Sequence, residues 1–136
     1  MKDRFIILIA DKNPHVRKFL QRELVSEGYG VRQAVSGKDA LEQIYCQKSI
    51  DLLILDPDLP DADEHFLFKK LYDRIPSLPV IIHAHSEYAV IKERMYATIF
   101  VEKNGNSIER LKQVVYDILH AEKKRFPNDS EDFPNQ

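Results

Sequence analysis

Five short apolar runs alternate along the chain with segments in which apolar residues recur at helical spacing. The runs cover roughly residues 4–10, 29–35, 51–55, 79–83 and 98–102. Most of them are apolar at consecutive positions, which is typical of strands covered on both faces of a parallel sheet. Strands that alternate with helices predict an α/β fold, a three-layer α/β/α sandwich with right-handed crossovers.

Residues that commonly bound helices stand between these runs. Asn13 is predicted to cap a first helix that has Pro14 at its first position and ends at Gly28. Ser36 and Asp39 have capping-box-like spacing at the start of a second helix. The remaining predicted helices are one that contains Phe66 and is ended by Pro76, a short one within residues 87–96, and one capped by Ser107.

The length of 136 residues fits one domain, which we expect to cover residues 1–122. Residues 123–136 are polar and have no apolar period, so we expect a disordered tail there. The first apolar run is too short for a signal peptide or a membrane span.

Composition excludes several classes of partner. The chain has 20 basic and 22 acidic residues, a net charge of −2, which gives no general electrostatic reason for binding nucleic acid or an anionic membrane. Its only cysteine, Cys46, cannot form an internal disulfide, and this favours a reducing compartment. We therefore expect a cytoplasmic protein, a monomer or weak homodimer, that binds neither nucleic acid nor membrane.

Polar residues follow three of the apolar runs. Asp11 follows the first run, Asp56 the third and Lys103 the fifth. Because open α/β sheets bind their ligands at the carboxyl ends of the strands, we expect two acids and an amine to meet at one edge of the sheet. Asp58 follows closely in an acidic loop.

The segments that carry these residues resemble the receiver domain of two-component response regulators over residues 3–121. The resemblance rests on four segments, which read FIILIADKNP, DLLILDPDLPD, LPVIIHAHSE and IFVEKNG. It implies a CheY-like, flavodoxin-like fold with a five-stranded parallel sheet in the order 2-1-3-4-5. It also implies a bacterial phosphoprotein in a phosphorelay.

By this resemblance Asp56 is the phosphoacceptor, and Lys103 contacts the acyl phosphate. Asp11, Asp56 and the backbone carbonyl of Asp58 would hold Mg²⁺, a cation that prefers oxygen ligands. Phe100 matches the aromatic switch position. The implied protein is a stand-alone response regulator that receives phosphate from a histidine kinase or phosphotransfer protein and signals to a downstream protein. It is not an enzyme beyond its own phosphorylation and dephosphorylation.

The sequence departs from the family pattern in two places. Lys12 stands where the family has a second acid, which predicts weaker Mg²⁺ binding. Lys12 either turns inward to pair with Asp56 or stays a solvated surface lysine. The hydroxyl residue of strand four falls on Ala84, whereas a one-residue slip of the strand would place His83 there. His85 falls where a small residue normally guards access.

These departures leave two alternatives to a phosphorylated regulator. One is a pseudo-receiver, a binding module that uses its fourth helix, fifth strand and last helix without phosphate. The other is a flavodoxin-like enzyme or cofactor domain. The latter has little support, because residues 12–14 read Lys-Asn-Pro in place of a glycine-rich phosphate loop.

Overall fold

The computed structural model describes residues 4–46, 49–61, 64–74, 77–85 and 99–132. Its elements, numbered here as they occur within these ranges, are β1 (Ile6–Ala10), α1 (Pro14–Ser26), β2 (Gly30–Ala34), α2 (Gly37–Cys46), β3 (Leu52–Leu55), α3 (Glu64–Asp73), β4 (Val80–Ala84), β5 (Ile99–Glu102) and α4 (Ser107–Asp132). The helix predicted within residues 87–96 and the helix stop at Pro76 lie outside the described residues.

The five strands form one parallel sheet in the order β2-β1-β3-β4-β5. This order and the three-layer α/β arrangement confirm the predicted fold class. The carboxyl ends of all five strands therefore lie at the same edge of the sheet. Side chains that directly follow the strands are brought together there.

Two apolar clusters cover the two faces of the sheet. Leu8 and Leu53 belong to the cluster that includes side chains of α2 and α3. Their neighbours Ile7 and Ile54 belong to the other cluster, which includes side chains of α1 and α4. Burying each such Leu or Ile side chain stabilises the fold by about 1.5–3 kcal/mol. Burial on both faces explains why the strands are apolar at consecutive positions.

The predicted helix boundaries have the expected hydrogen bonds. The Asn13 side chain accepts a hydrogen bond of 2.9 Å from the backbone N–H of His15 at the start of α1. Gly28, just beyond α1, has a φ of +98°, a left-handed conformation that glycine adopts without a steric penalty. The Ser36 hydroxyl accepts a 3.0 Å hydrogen bond from the N–H of Asp39 at the start of α2.

The last helix, α4, continues to Asp132. Residues 121–125 are Ala, Glu, Lys, Lys and Arg, which are strong helix formers and favour extension of a helix that has already nucleated. The domain boundary at residue 122 and the tail over residues 123–136 stay predictions. In the part of the chain that the structure describes, no helix is long and apolar enough to cross a bilayer.

Candidate functional site

Three polar side chains from separate strands meet at the carboxyl edge of the sheet. Asp11 follows β1, Asp56 follows β3 and Lys103 follows β5. The Lys103 Nζ lies 2.5 Å from Asp56 Oδ2 and 2.9 Å from Asp11 Oδ2. One ammonium group therefore bridges the two carboxylates, as expected from their positions after parallel strands.

The backbone fixes the second oxygen of each carboxylate. Asp11 Oδ1 accepts a 2.9 Å hydrogen bond from the N–H of Asn13, and Asp56 Oδ1 accepts one of the same length from the N–H of Asp58. The Asp56 N–H in turn donates to the carbonyl of a β1 residue, Ala10, at 2.9 Å. Each carboxylate thus has one oxygen bound to its own loop and one bound to Lys103, which orients both groups before any ligand binds.

The site is buried and charged. Asp11 and Asp56 are 2% and 7% exposed, and the Lys103 side chain is 16% exposed. Burial opposes the charge on Lys103, but its hydrogen bonds to Asp56 and Asp11 outweigh this and raise the pKa of the ammonium above its usual 10.5. Lys103 is therefore protonated at neutral pH.

The donor atoms fit Mg²⁺ by type. Mg²⁺ is usually held by one or two carboxylates, completed by waters and phosphate oxygens, and the Asp11 and Asp56 carboxylates supply such a pair. Among the described residues, no group of three or more His, Cys, Asp or Glu side chains is placed to hold a metal. Asp11 and Asp56 are therefore the two described side chains that could supply carboxylate oxygens to a magnesium ion here.

Lys12 does not turn inward to pair with Asp56. Its Nζ lies 3.0 Å from Asp58 Oδ2, and the two side chains are 56% and 73% exposed. Of the two sequence-based alternatives, the structure therefore has the surface lysine. The physical reason is that Lys103 already neutralises Asp56, whereas a second buried ammonium would lose its hydration without an equally close partner.

The register of β4 places Ala84, and not His83, on the same face of the sheet as Phe100. Ala84 lies opposite Glu102 in β5, and its carbonyl accepts a 2.8 Å hydrogen bond from the N–H of Lys103. Ala84 is buried in the cluster against which the half-buried Phe100 packs. At this position of β4 the structure therefore has the methyl group of Ala84 in place of a hydroxyl.

His83 points to the opposite face, where its Nε2 lies 3.4 Å from the hydroxyl oxygen of Ser107 at the start of α4. The ring is 4% exposed, and within the described part of the chain its Nδ1 has no hydrogen-bond partner. Burial, followed by the positive charge of Lys103, lowers the pKa of His83 to about 4. His83 is therefore neutral at neutral pH. His85 is exposed.

The contacts of two residues near the site were not predicted from the sequence. Arg17 donates from Nη1 to the Asp11 carbonyl at 2.7 Å and so holds the loop after β1. Asp61 accepts hydrogen bonds from the N–H groups of Gly37 and Lys38, at 2.7 and 3.0 Å, at the start of α2. These bonds lower the pKa of Asp61. Asp61 is more than 20 residues from Gly37 and Lys38 in the sequence, so no local pattern indicates these contacts.

Comparison with known proteins gives consistent matches. The sequence model of the response regulator receiver domain matches residues 7–116. Sensor protein EvgS of Escherichia coli O157:H7 is 39% identical over 80 residues, which cover 59% of this chain and 7% of EvgS. The chain spans no more than 30% of the length of EvgS and of the other curated relatives that it resembles.

Solved structures agree with the fold. The response regulator TrrA of Thermotoga maritima, crystallised in complex with Mg²⁺-BeF, has a TM-score of 0.75 and 27% identity, covering 83% of this chain and 97% of TrrA. TrrA in complex with the histidine kinase ThkA has a TM-score of 0.74 and 28% identity, covering 85% of this chain and 98% of the matched chain. By sequence, sheet order and structural similarity, the chain belongs to the response regulator receiver domain family.

Proposed function

We propose that this receiver domain accepts a phosphoryl group on Asp56 and signals through contacts with other proteins. The observation that carries the proposal is the 2.5 Å contact of the buried Asp56 carboxylate with the Lys103 ammonium, which also binds Asp11. The proposed donor is a histidine kinase or phosphotransfer protein, since the similar protein TrrA has been solved in complex with the kinase ThkA. The curated relatives carry a matching segment within longer proteins.

The proposed chemistry is a displacement at phosphorus. An Asp56 carboxylate oxygen attacks the phosphorus of the donor's phosphohistidine, and the new O–P bond forms as the N–P bond breaks. The electron pair of the broken bond stays on the imidazole nitrogen, which takes a proton from water. Lys103 stabilises the negative charge on the transferring oxygens, and its low exposure strengthens this interaction. The only chemistry proposed for the domain itself is its own phosphorylation and dephosphorylation.

Mg²⁺ is the proposed cofactor, held by Asp11, Asp56 and the backbone carbonyl of Asp58. When bound, it supplies positive charge to the phosphoryl oxygens. Lys12 is expected to weaken its binding, because a cation stands where the family has an acid. The exposure of Lys12 and its pairing with Asp58 limit this effect, since charges in water are strongly screened.

Intact-mass measurement after incubation with acetyl phosphate and Mg²⁺ tests the proposal. The wild-type chain and Asp117→Asn, a matched change at an exposed position of α4, are expected to gain one phosphoryl group. The Asp56→Asn variant is expected to gain none. A phosphorylated histidine donor is tested in parallel, because the proposed donor is a histidine kinase or phosphotransfer protein. An adduct of the same size in Asp56→Asn, or none with either donor, would refute the proposal.

A second candidate is the pseudo-receiver, a binding module that works without phosphate. Two observations favour it. The Lys103 ammonium already pairs with both carboxylates, and Ala84 supplies no hydroxyl beside Phe100. This candidate predicts that Asp56→Asn binds the downstream protein with unchanged affinity and an intact circular dichroism spectrum. A large loss of affinity in that variant would argue against it. The flavodoxin-like cofactor domain has no support beyond the shared fold.

A further inference from the structure

The Lys12–Asp58 ion pair joins the two loops that carry the buried carboxylates. Lys12 directly follows Asp11, and the Asp58 N–H donates to Asp56 Oδ1 at 2.9 Å. The pair has a separation of 3.0 Å between Lys12 Nζ and Asp58 Oδ2, and both side chains are more than half exposed. Such a pair is weak and readily exchanged, because water stabilises both charges when they separate.

The charges around Asp56 are balanced in an unusual way. Three carboxylates, those of Asp11, Asp56 and Asp58, face the two ammonium groups of Lys12 and Lys103, which leaves a net charge of −1. With an acid at position 12 the same set would carry −3, and a divalent cation would be needed to return it to −1. Lys12 thus changes the charge of the site by the same two units that Mg²⁺ would add.

We propose that Lys12 is a second phosphoryl-binding group, which leaves Asp58 and binds the phosphoryl oxygens when Asp56 is modified. This inference rests on the proposed phosphorylation of Asp56. A phosphoryl group carries more negative charge than one carboxylate and offers three acceptor oxygens, so it competes well for a lysine. The ammonium of Lys12 stands on a flexible four-carbon stem, so the proposed change of partner is made by rotation of the side chain.

The exchange has a local structural consequence. Asp58 loses its side-chain partner when Lys12 moves to the phosphoryl group. Asp61, in the same loop, stays bound to the N–H groups of Gly37 and Lys38 at the start of α2. In this loop, the proposed response therefore lies between the site and Asp61. It does not require the hydroxyl that is missing at Ala84.

Beryllofluoride, a phosphoryl analogue, tests the inference through amide NMR titrations with Mg²⁺ and with a chelator in its place. For the wild-type chain, we expect the affinity for beryllofluoride with chelator to be within about tenfold of the affinity with Mg²⁺. Lys12→Asp, which restores an acid pair, is expected to lose affinity in chelator by about a hundredfold. The matched variant Lys18→Asp makes the same charge change on the exposed surface of α1 and is expected to behave as wild type.

Two further measurements separate a role in phosphoryl binding from a general charge effect. Mg²⁺ titration of the unmodified chains, also followed by amide NMR, is expected to show about tenfold tighter binding in Lys12→Asp than in Lys18→Asp. Lys12→Met is expected to weaken beryllofluoride binding about tenfold, whereas Asp58→Asn, which frees Lys12, is expected to preserve or strengthen it. These variants change exposed side chains, and their folding is checked by the same spectra.

The outcomes distinguish this inference from the proposed function. If beryllofluoride binds at Asp56 but Lys12→Met and Lys12→Asp bind it as the wild type does, the Lys12 inference is wrong and the phosphorylation proposal stands. A wild-type site that binds the analogue only with Mg²⁺ would also overturn the inference. If no variant binds the analogue and no phosphoryl adduct forms on Asp56, both proposals fail.

Discussion

Because the Lys103 ammonium bridges two buried carboxylates, we expect the Lys103→Met variant to lose folding stability. Methionine keeps much of the apolar stem but removes the charge, so the buried carboxylates of Asp11 and Asp56 face each other without a cation. At separations of 2.5 and 2.9 Å, and at an effective dielectric constant of about 20, each ion pair is worth about 6 kcal/mol before desolvation. Desolvation of the three groups offsets most of this attraction.

The expected cost comes from the carboxylates that remain. Removing one partner from a buried ion pair destabilises a protein by about 3 to 5 kcal/mol. Because the Lys103 side chain is 16% exposed and water can enter, we expect a value near the lower limit, about 3 kcal/mol.

Urea unfolding followed by circular dichroism measures this free energy at pH 7, where the raised pKa of Lys103 keeps the wild-type ammonium fully charged. Lys69→Met is the matched control, because Lys69 forms an exposed pair with Asp73 and should cost less than about 1 kcal/mol. The double variant Lys103→Met, Asp56→Asn should be more stable than Lys103→Met alone. If Lys103→Met costs no more than Lys69→Met, the reasoning about a buried bridge is refuted.

The remaining predictions concern pH and packing. As the pH falls from about 6.5 to about 4, His83 should cost the wild type up to about 3 kcal/mol of stability, because the unfolded chain binds a proton there and the buried ring does not. His83→Leu should remove this loss; an equal pH dependence of the free energy of urea unfolding in both chains would contradict it. Asp61→Asn should lower the melting temperature at pH 7, and the difference from the wild type should vanish below the lowered pKa of Asp61, where the stabilising charge is lost. A difference in melting temperature that persists in acid would contradict this. Gly30→Ala should destabilise the fold by about 1 kcal/mol, because the added Cβ would lie 2.7 Å from Ile6 Cδ1, which must shift. An unchanged midpoint of urea unfolding would contradict this and show that Ile6 moves aside without cost.

The fold class was predictable because the strands have apolar residues at consecutive positions. Residues such as Leu53 and Ile54 are buried on opposite faces, so apolar side chains at successive positions indicate a covered parallel sheet. The convergence of Asp11, Asp56 and Lys103 followed from the same pattern, since each directly follows a strand of one parallel sheet. The sheet order itself was implied only by the family resemblance.

Other features depend on information that a single sequence lacks. The choice between Ala84 and His83 depends on a one-residue register, which only pairing with β5 decides. The sequence allowed Lys12 either to pair with Asp56 or to stay at the surface. Its position at the surface, paired with Asp58, depends on the cost of burying an ammonium, which the sequence does not show. The continuation of the last helix beyond residue 120 was not predicted, because the polar residues there have no apolar period.

The most direct test of the central claim is to identify the residue that carries the phosphoryl group. Borohydride reduces an aspartyl phosphate to homoserine, which peptide mass mapping locates after treatment with acetyl phosphate or a phosphorylated histidine donor. Homoserine is expected at position 56 alone, because Asp56 is the carboxylate bound by Lys103 in the loop after β3. Homoserine at Asp11 or Asp58, or at no aspartate with either donor, would contradict it.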